Sequence, residues 1–246
     1  MGSALAEIRE RSRIVVDEKE YQTGVRSIEM LRRELGENVP TAAYIRQFRP
    51  DAGLFLHPEI AFNPYDPHNI AHVARTQIAG ACIARVQLRR NPRAYIVEQF
   101  VLHALAWHDI AVDGDEGYEA HASRAVTRIE EKGQQTKFYS AQWLQIRELM
   151  RHHMRRDDPA LDEMPLNLLA MLNDVRDADA SDLMRPPIYE PLNRIVLRTA
   201  EAVEFQLPLI SQHIQMVAAS ISGDIYEAQF AAAERIGLLR VSEPRP

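Results

Sequence analysis

His108 and Asp109 stand side by side at the end of the apolar run LHALAWHD, which begins at Leu102. Imidazole and carboxylate are seldom buried without partners, and an unpaired buried charge costs several kcal/mol. A bound cation would compensate both groups at once. The chain carries further donors of the same kind: His72, His121, the pair His152-His153, and Asp177 within VRDADASDL. Imidazole nitrogen and carboxylate oxygen suit one or two divalent transition metals, drawn from Fe, Mn, Zn, Co or Ni, and soft sulfur ligands are missing. The lone cysteine, Cys82, lies among apolar neighbours and reads as a small buried hydrophobe.

These donors fall on five separate helical patterns. A first helix spans about residues 17–35, where Tyr21, Val25, Ile28, Leu31 and Leu35 recur at spacings of three and four. Gly36 stops it, and a short helix follows over Thr41 to Phe48. Residues 51–67 carry three prolines and read as an ordered loop. A long helix then starts near His68, and His68, His72 and Arg75 share one of its faces. Residues 94–109 form a nearly all-apolar helix, which marks it as central. Beyond an acidic turn at 110–117, helices are predicted over 119–132, 140–154, 165–179, 189–206 and 209–237, with the last break near Pro208. No strand, repeat or low-complexity tract is legible. The expected fold class is all-α, one domain over residues 1–246. A core spans about 65–187, with helices at 12–50 and 189–237 packed on it.

Bulk composition narrows the functions. The balance of 29 Lys+Arg against 35 Asp+Glu gives a formal charge of −6, which argues against a nucleic-acid binder needing a basic footprint. No apolar run approaches the ~18 residues of a membrane span. With one cysteine and no secretory leader pattern, a cytoplasmic setting is expected.

The order H…HD…H…H(H)…D, from about residue 65 to 182, resembles the HD superfamily of metal-dependent phosphohydrolases. Four local segments carry the resemblance. Tyr65-Asp-Pro-His68-Asn-Ile-Ala-His72-Val is similar to the "YHN..HI" entry of one subgroup, and Ala106-Trp107-His108-Asp109-Ile110 to its "WFHD" helix end. Glu119-Ala-His121-Ala-Ser123 falls where that subgroup has an acidic, serine-containing helix start, and Asp177-Ala-Asp179-Ala-Ser181 resembles its "LDADLS" segment. The resemblance implies an HD-type helical bundle in which His72, His108, Asp109 and Asp177 hold a first metal. Asp109 would bridge to a second, completed by His121 and one or both of His152 and His153. Asp179 would support or cap rather than ligate. Departures at Val112, Met154 and Arg155 remove the marks of several named HD specificities, and Val112-Asp113 matches a Glu-Asp pair only in its second half.

The resemblance implies hydrolysis of a small, nucleotide-like phosphate compound by metal-activated water, with Asp109 orienting the water or acting as base. Arg75, near His72 on its helix, either clamps phosphate bidentately or pairs with an internal carboxylate. Two other functions fit the same residues. One is a mixed-valent di-iron oxygenase of the same superfamily, acting on a small phosphonate or polyol. The other is a non-catalytic binding protein. The helices beyond Pro187 either cover the pocket or form a homodimer face.

Overall fold

The computed structural model describes residues 17–64, 66–113, 118–154, 161–184 and 194–241. The protein is all-α: its regular elements are α1 (Glu18–Leu35), α2 (Ala42–Arg46), α3 (Pro58–Ala61), α4 (Ile70–Arg90), α5 (Glu98–Trp107), α6 (Tyr118–Glu131), α7 (Ser140–His152), α8 (Leu166–Ala180), α9 (Ala200–Glu204), α10 (Leu207–Ala218) and α11 (Ile225–Arg235). Short 3-10 turns lie at Gly36–Asn38, Ala52–Leu54 and Gln134–Lys137. The described residues contain no strand, only an isolated bridge between Thr41 and Arg240. None of their helices is long and apolar enough to cross a membrane.

Local chemistry sets most of the boundaries. Asp17, Thr41, Asn69, Thr199 and Asp224 each accept backbone N–H groups at the start of a helix, satisfying donors that otherwise lack partners. Asn69 matters most for the site. Its side chain accepts the His72 N–H at 3.0 Å and donates to the Asn63 carbonyl at 3.1 Å, so the turn carrying His72 is tied at both ends.

The central rod is α4, which packs against α1, α5, α8, α9, α10 and α11. Sixteen of its 21 residues are buried, so it is enclosed on nearly all sides rather than amphipathic. The chemistry-bearing helix, α5, is also apolar and buried but shorter than expected: Ala94–Val97 are not helical. Gly80 allows the close approach of α4 and α5, because a Cβ there would lie 2.5 Å from Leu105 Cδ1. One contiguous hydrophobic cluster runs from Ile28 to Leu239 and includes residues from every long helix.

Two further boundaries differ from the sequence expectation. In the predicted 189–206 helix, residues 189–193 lie outside the described residues, and among the described ones α-helix starts at Ala200, where Thr199 caps it. The predicted 209–237 helix is two helices. Gly223 at φ 116° precedes the Asp224 cap, and together they restart the chain as α11. Pro208 sits in the first turn of α10, where its missing N–H is harmless.

Away from the histidines lies a buried acidic contact. Asp174 on α8 accepts Gln87 Nε2 at 2.9 Å, while its other carboxylate oxygen has no hydrogen-bond partner among the described residues. Burial holds its carboxyl well above the usual range, and the nearby Asp177 and Glu201 charges push the same way against the Gln87 bond. The folded state therefore keeps this proton to higher pH than the unfolded chain. Its contribution to stability is present below the ordinary carboxylate range and is lost as pH rises through the raised value. Asp174→Asn, neutral at every pH, should melt above the wild type at pH 8, with the gap closing towards pH 4. Thermal unfolding at both pH values checks this, and a pH-independent gap would contradict it.

Candidate metal centre

Six side chains from five parts of the chain converge in the interior. His72 comes from α4, His108 and Asp109 from the turn after α5, His121 from α6, His153 from the end of α7, and Asp179 from α8. His72, His108, Asp109, His121 and His153 are buried, while the Asp179 side chain is 16% exposed.

The distances form two adjoining groups. Around the first, His72 Nε2 lies 3.3 Å from His108 Nε2, 3.3 Å from Asp109 Oδ2 and 3.3 Å from Asp179 Oδ1. His108 Nε2 lies 3.3 Å from the same Asp109 oxygen and 3.6 Å from Asp179 Oδ1. Around the second, His121 Nε2 lies 3.4 Å from Asp109 Oδ1 and 3.3 Å from His153 Nε2. Asp109 therefore turns one oxygen to each group.

The outer nitrogens of three of these rings are already engaged. His108 Nδ1 donates to the Leu105 carbonyl at 2.9 Å and His153 Nδ1 to the Met150 carbonyl at 2.6 Å. His72 Nδ1 donates to Asp182 Oδ2 at 2.8 Å. A neutral ring that donates from Nδ1 presents a lone pair at Nε2. The interior is thus lined by lone pairs facing one another, together with two carboxylates. Such a set is satisfied by extra protons or by cations. With metal–nitrogen bonds of about 2.0–2.1 Å, neighbouring ligand atoms fall roughly 3.0–3.4 Å apart, which matches the spacings above. The chemistry of the donor set fits a divalent transition metal in each group.

The electrostatics agree. Burial alone would lower His108, but Asp109 and Asp179 outweigh it and push the imidazole up to about 10. Burial would raise both carboxyls, yet the facing histidines hold Asp109 and Asp179 well below the usual range. His153, buried beside His108, is pushed down to about 4. Carboxylates that stay charged beside imidazoles in a dry interior are the conditions under which a cation binds.

Three residues expected at the site lie elsewhere. The last carboxylate is Asp179, not Asp177. Two residues along a helix is a turn of about 200°, so the two point to opposite sides of α8. Asp177 accepts the Arg198 and Thr199 backbone N–H groups at 2.8 and 2.7 Å, and the Thr199 hydroxyl at 2.8 Å, anchoring the start of α9. His153 faces the cluster. His152, about 100° round the helix, lies 3.2 Å from Glu148 Oε2, and its carbonyl accepts from Arg176 at 2.8 and 3.0 Å. Arg75 does not reach the cluster as a phosphate clamp. Its Nε and Nη2 donate to Asp182 at 2.7 and 2.9 Å, the internal ion pair that the sequence offers on equal terms with the clamp.

Two contributors lacked an assigned role in the sequence. Asp182 receives His72, Arg75 and, at 2.6 Å, the Ser211 hydroxyl. Its signal is spacing: Asp182 follows Asp179 by three residues, just past the end of α8, as Arg75 follows His72 by three on α4. His68 Nδ1 donates to Asp109 Oδ2 at 3.0 Å, and at 21% side-chain exposure it opens towards solvent. Of the remaining histidines, His103 packs among Phe48, Trp107 and Phe138, and His213 stacks on Tyr21. Burial pushes both down to about 4, so they are neutral core groups. Burial likewise pushes the Cys82 thiol up to about 12.

Comparison with family models, with curated proteins and with solved structures gives no match.

Two substitutions separate the neighbouring carboxylates. Asp179→Asn should abolish binding of at least one metal per chain, whereas Asp177→Asn should keep the metal and lose roughly 1–3 kcal/mol of stability. Elemental analysis and denaturant unfolding read the two effects. Asp182→Asn keeps shape but removes the charge that orients His72, and should weaken metal binding by about 10- to 100-fold with the helical content unchanged. Competition with a chromogenic chelator measures it.

Proposed function

We propose that the chain is an HD-type phosphohydrolase that cleaves an ester or anhydride bond in a small, nucleotide-like phosphate compound. One observation supports this most: lone pairs of His72 and His108 meet at 3.3 Å beside two carboxylate oxygens, with their outer nitrogens already donating. His72, His108, Asp109 and Asp179 would hold one divalent ion, and Asp109, His121 and His153 a second. Bound there, divalent ions lower the pKa of water from about 15.7 to about 7 and neutralise phosphoryl oxygens.

The residues of the chain contribute position and polarity. Asp109 divides its oxygens between the groups and so fixes their separation. Asp182 and the Leu105 and Met150 carbonyls lock three imidazoles in one tautomer. Asp179 and His68, the more exposed members, mark the side from which water and substrate approach. Asp109 orients the attacking water, and His68, donating to the Asp109 oxygen, steadies that carboxylate.

A second reading, oxygen activation at a di-iron centre on a small phosphonate or polyol, is favoured by two features. The donor set is a complete group of six nitrogen and oxygen ligands, and Arg75, the expected phosphate clamp, is committed to Asp182. Purified protein should carry one or two metals per chain and release phosphate from a panel of phosphate esters and anhydrides. His108→Ala should remove metal and lower the rate more than ~100-fold, beyond the loss typical of an outer-sphere change. Iron content with oxygen consumption and no phosphate release would select the oxygenase. Metal-loaded protein inert in both assays would leave a non-catalytic binding protein.

A further inference from the structure

Remote from the histidine cluster, the ends of α1 and α11 border an open-sided cavity of about 620 Å³, lined by Glu29, Arg32, Arg33, Gly36, Val39, Gly237, Leu239 and Arg240. In a chain of net charge −6, three arginines converge here against a single acid. We propose that this cavity binds a small polyanion carrying more than one phosphate group, independently of the metal centre.

The arginines are not consumed by internal pairing. Arg33 approaches Glu29 only at 3.8 Å, with both side chains more than half exposed, an interaction worth little in water. Arg240 uses Nε to donate to the Val39 carbonyl at 3.1 Å, which leaves its terminal nitrogens for a ligand. Among the described residues, the Arg32 side chain has neither a hydrogen bond nor an ion pair. It lies instead against Gly237, where a Cβ would sit 2.7 Å from its Cζ and Nε. Gly237, at φ 77°, is therefore needed both for the turn and for room beneath the guanidinium. A fourth cation, Arg89, donates to the Arg33 carbonyl at 3.4 Å and stands beside Gly36.

The frame beneath these groups is fixed. Arg240 N–H donates to the Pro40 carbonyl at 2.9 Å and its carbonyl accepts from Ala42 N–H at 3.4 Å. The segment that carries one guanidinium is thereby bridged to the segment that follows α1. Planar donors approaching from different elements suit tetrahedral phosphate, which offers acceptors on several sides, better than a planar carboxylate. The volume lies in the usual range for small-molecule sites. Buried Val39 and Leu239 supply an apolar wall for its organic part.

The test is isothermal titration of the full-length protein with inorganic tripolyphosphate, compared with citrate at equal ionic strength. Tripolyphosphate should bind the wild type and Asp179→Ala equally, and about 10- to 100-fold more weakly to Arg32→Gln or Arg240→Gln. Both arginines are exposed, so these variants should keep the wild-type melting temperature. Binding lost in Asp179→Ala but kept in the arginine variants would place the anion at the metal centre and overturn the proposal. Citrate binding as tight as tripolyphosphate would overturn the phosphate assignment, and no binding of either anion to the wild type would overturn the site.

Discussion

Two imidazole lone pairs cannot face each other at 3.3 Å in a dry interior unless something positive lies between or beside them. That constraint organises the structure around the histidines. Three of the rings are turned by their outer nitrogens: two by carbonyls of the helical turn just before them, one by a carboxylate in the turn after α8. The cost of assembling so many acceptors is borne by a core drawn from nearly the whole chain, and α4, buried on almost every side, is its axis. Without a cation, protonation of His108 is the available relief, as its elevated pKa shows.

The surrounding polar groups divide into those that face the cation position and those that hold the first kind in place. Asp109 and Asp179 belong to the former, Asp182, Arg75 and Asn69 to the latter. Arg75 and Asp182 form a bidentate buried pair, and such pairs rarely add net stability over apolar packing. Here the pair has a use beyond stability, because the same carboxylate fixes the His72 ring.

The all-α class and the histidine order were legible because both rest on local signals: periodicity, caps and residue type. His72, His108, Asp109, His121 and His153 were all in the sequence-derived set, and the structure gathers them. What could not be read was rotation. Asp177 and Asp179 are equally plausible donors as letters, and only the azimuth of α8 against α4 separates them; His152 and His153 pose the same problem at the end of α7. Arg75 left two partners open because the competing carboxylate, Asp182, is 107 residues away. The boundary errors at Val97 and Ala200 arose where apolar residues continue past the point at which the backbone stops being helical. At 219–224 the Ser-Gly-Asp signal was present but was overridden by the apolar pattern on either side.

Asp182 accepts from two residues of α4, His72 and Arg75, and from Ser211 on α10. The C-terminal helices thus have a mechanical connection to the His72 imidazole through Asp182. Whatever shifts α10 along its axis, whether a binding event or an engineered fusion, would be felt as a tilt of the His72 ring. The character of the centre could then be tuned from the far end of the chain, with every donor atom left in place.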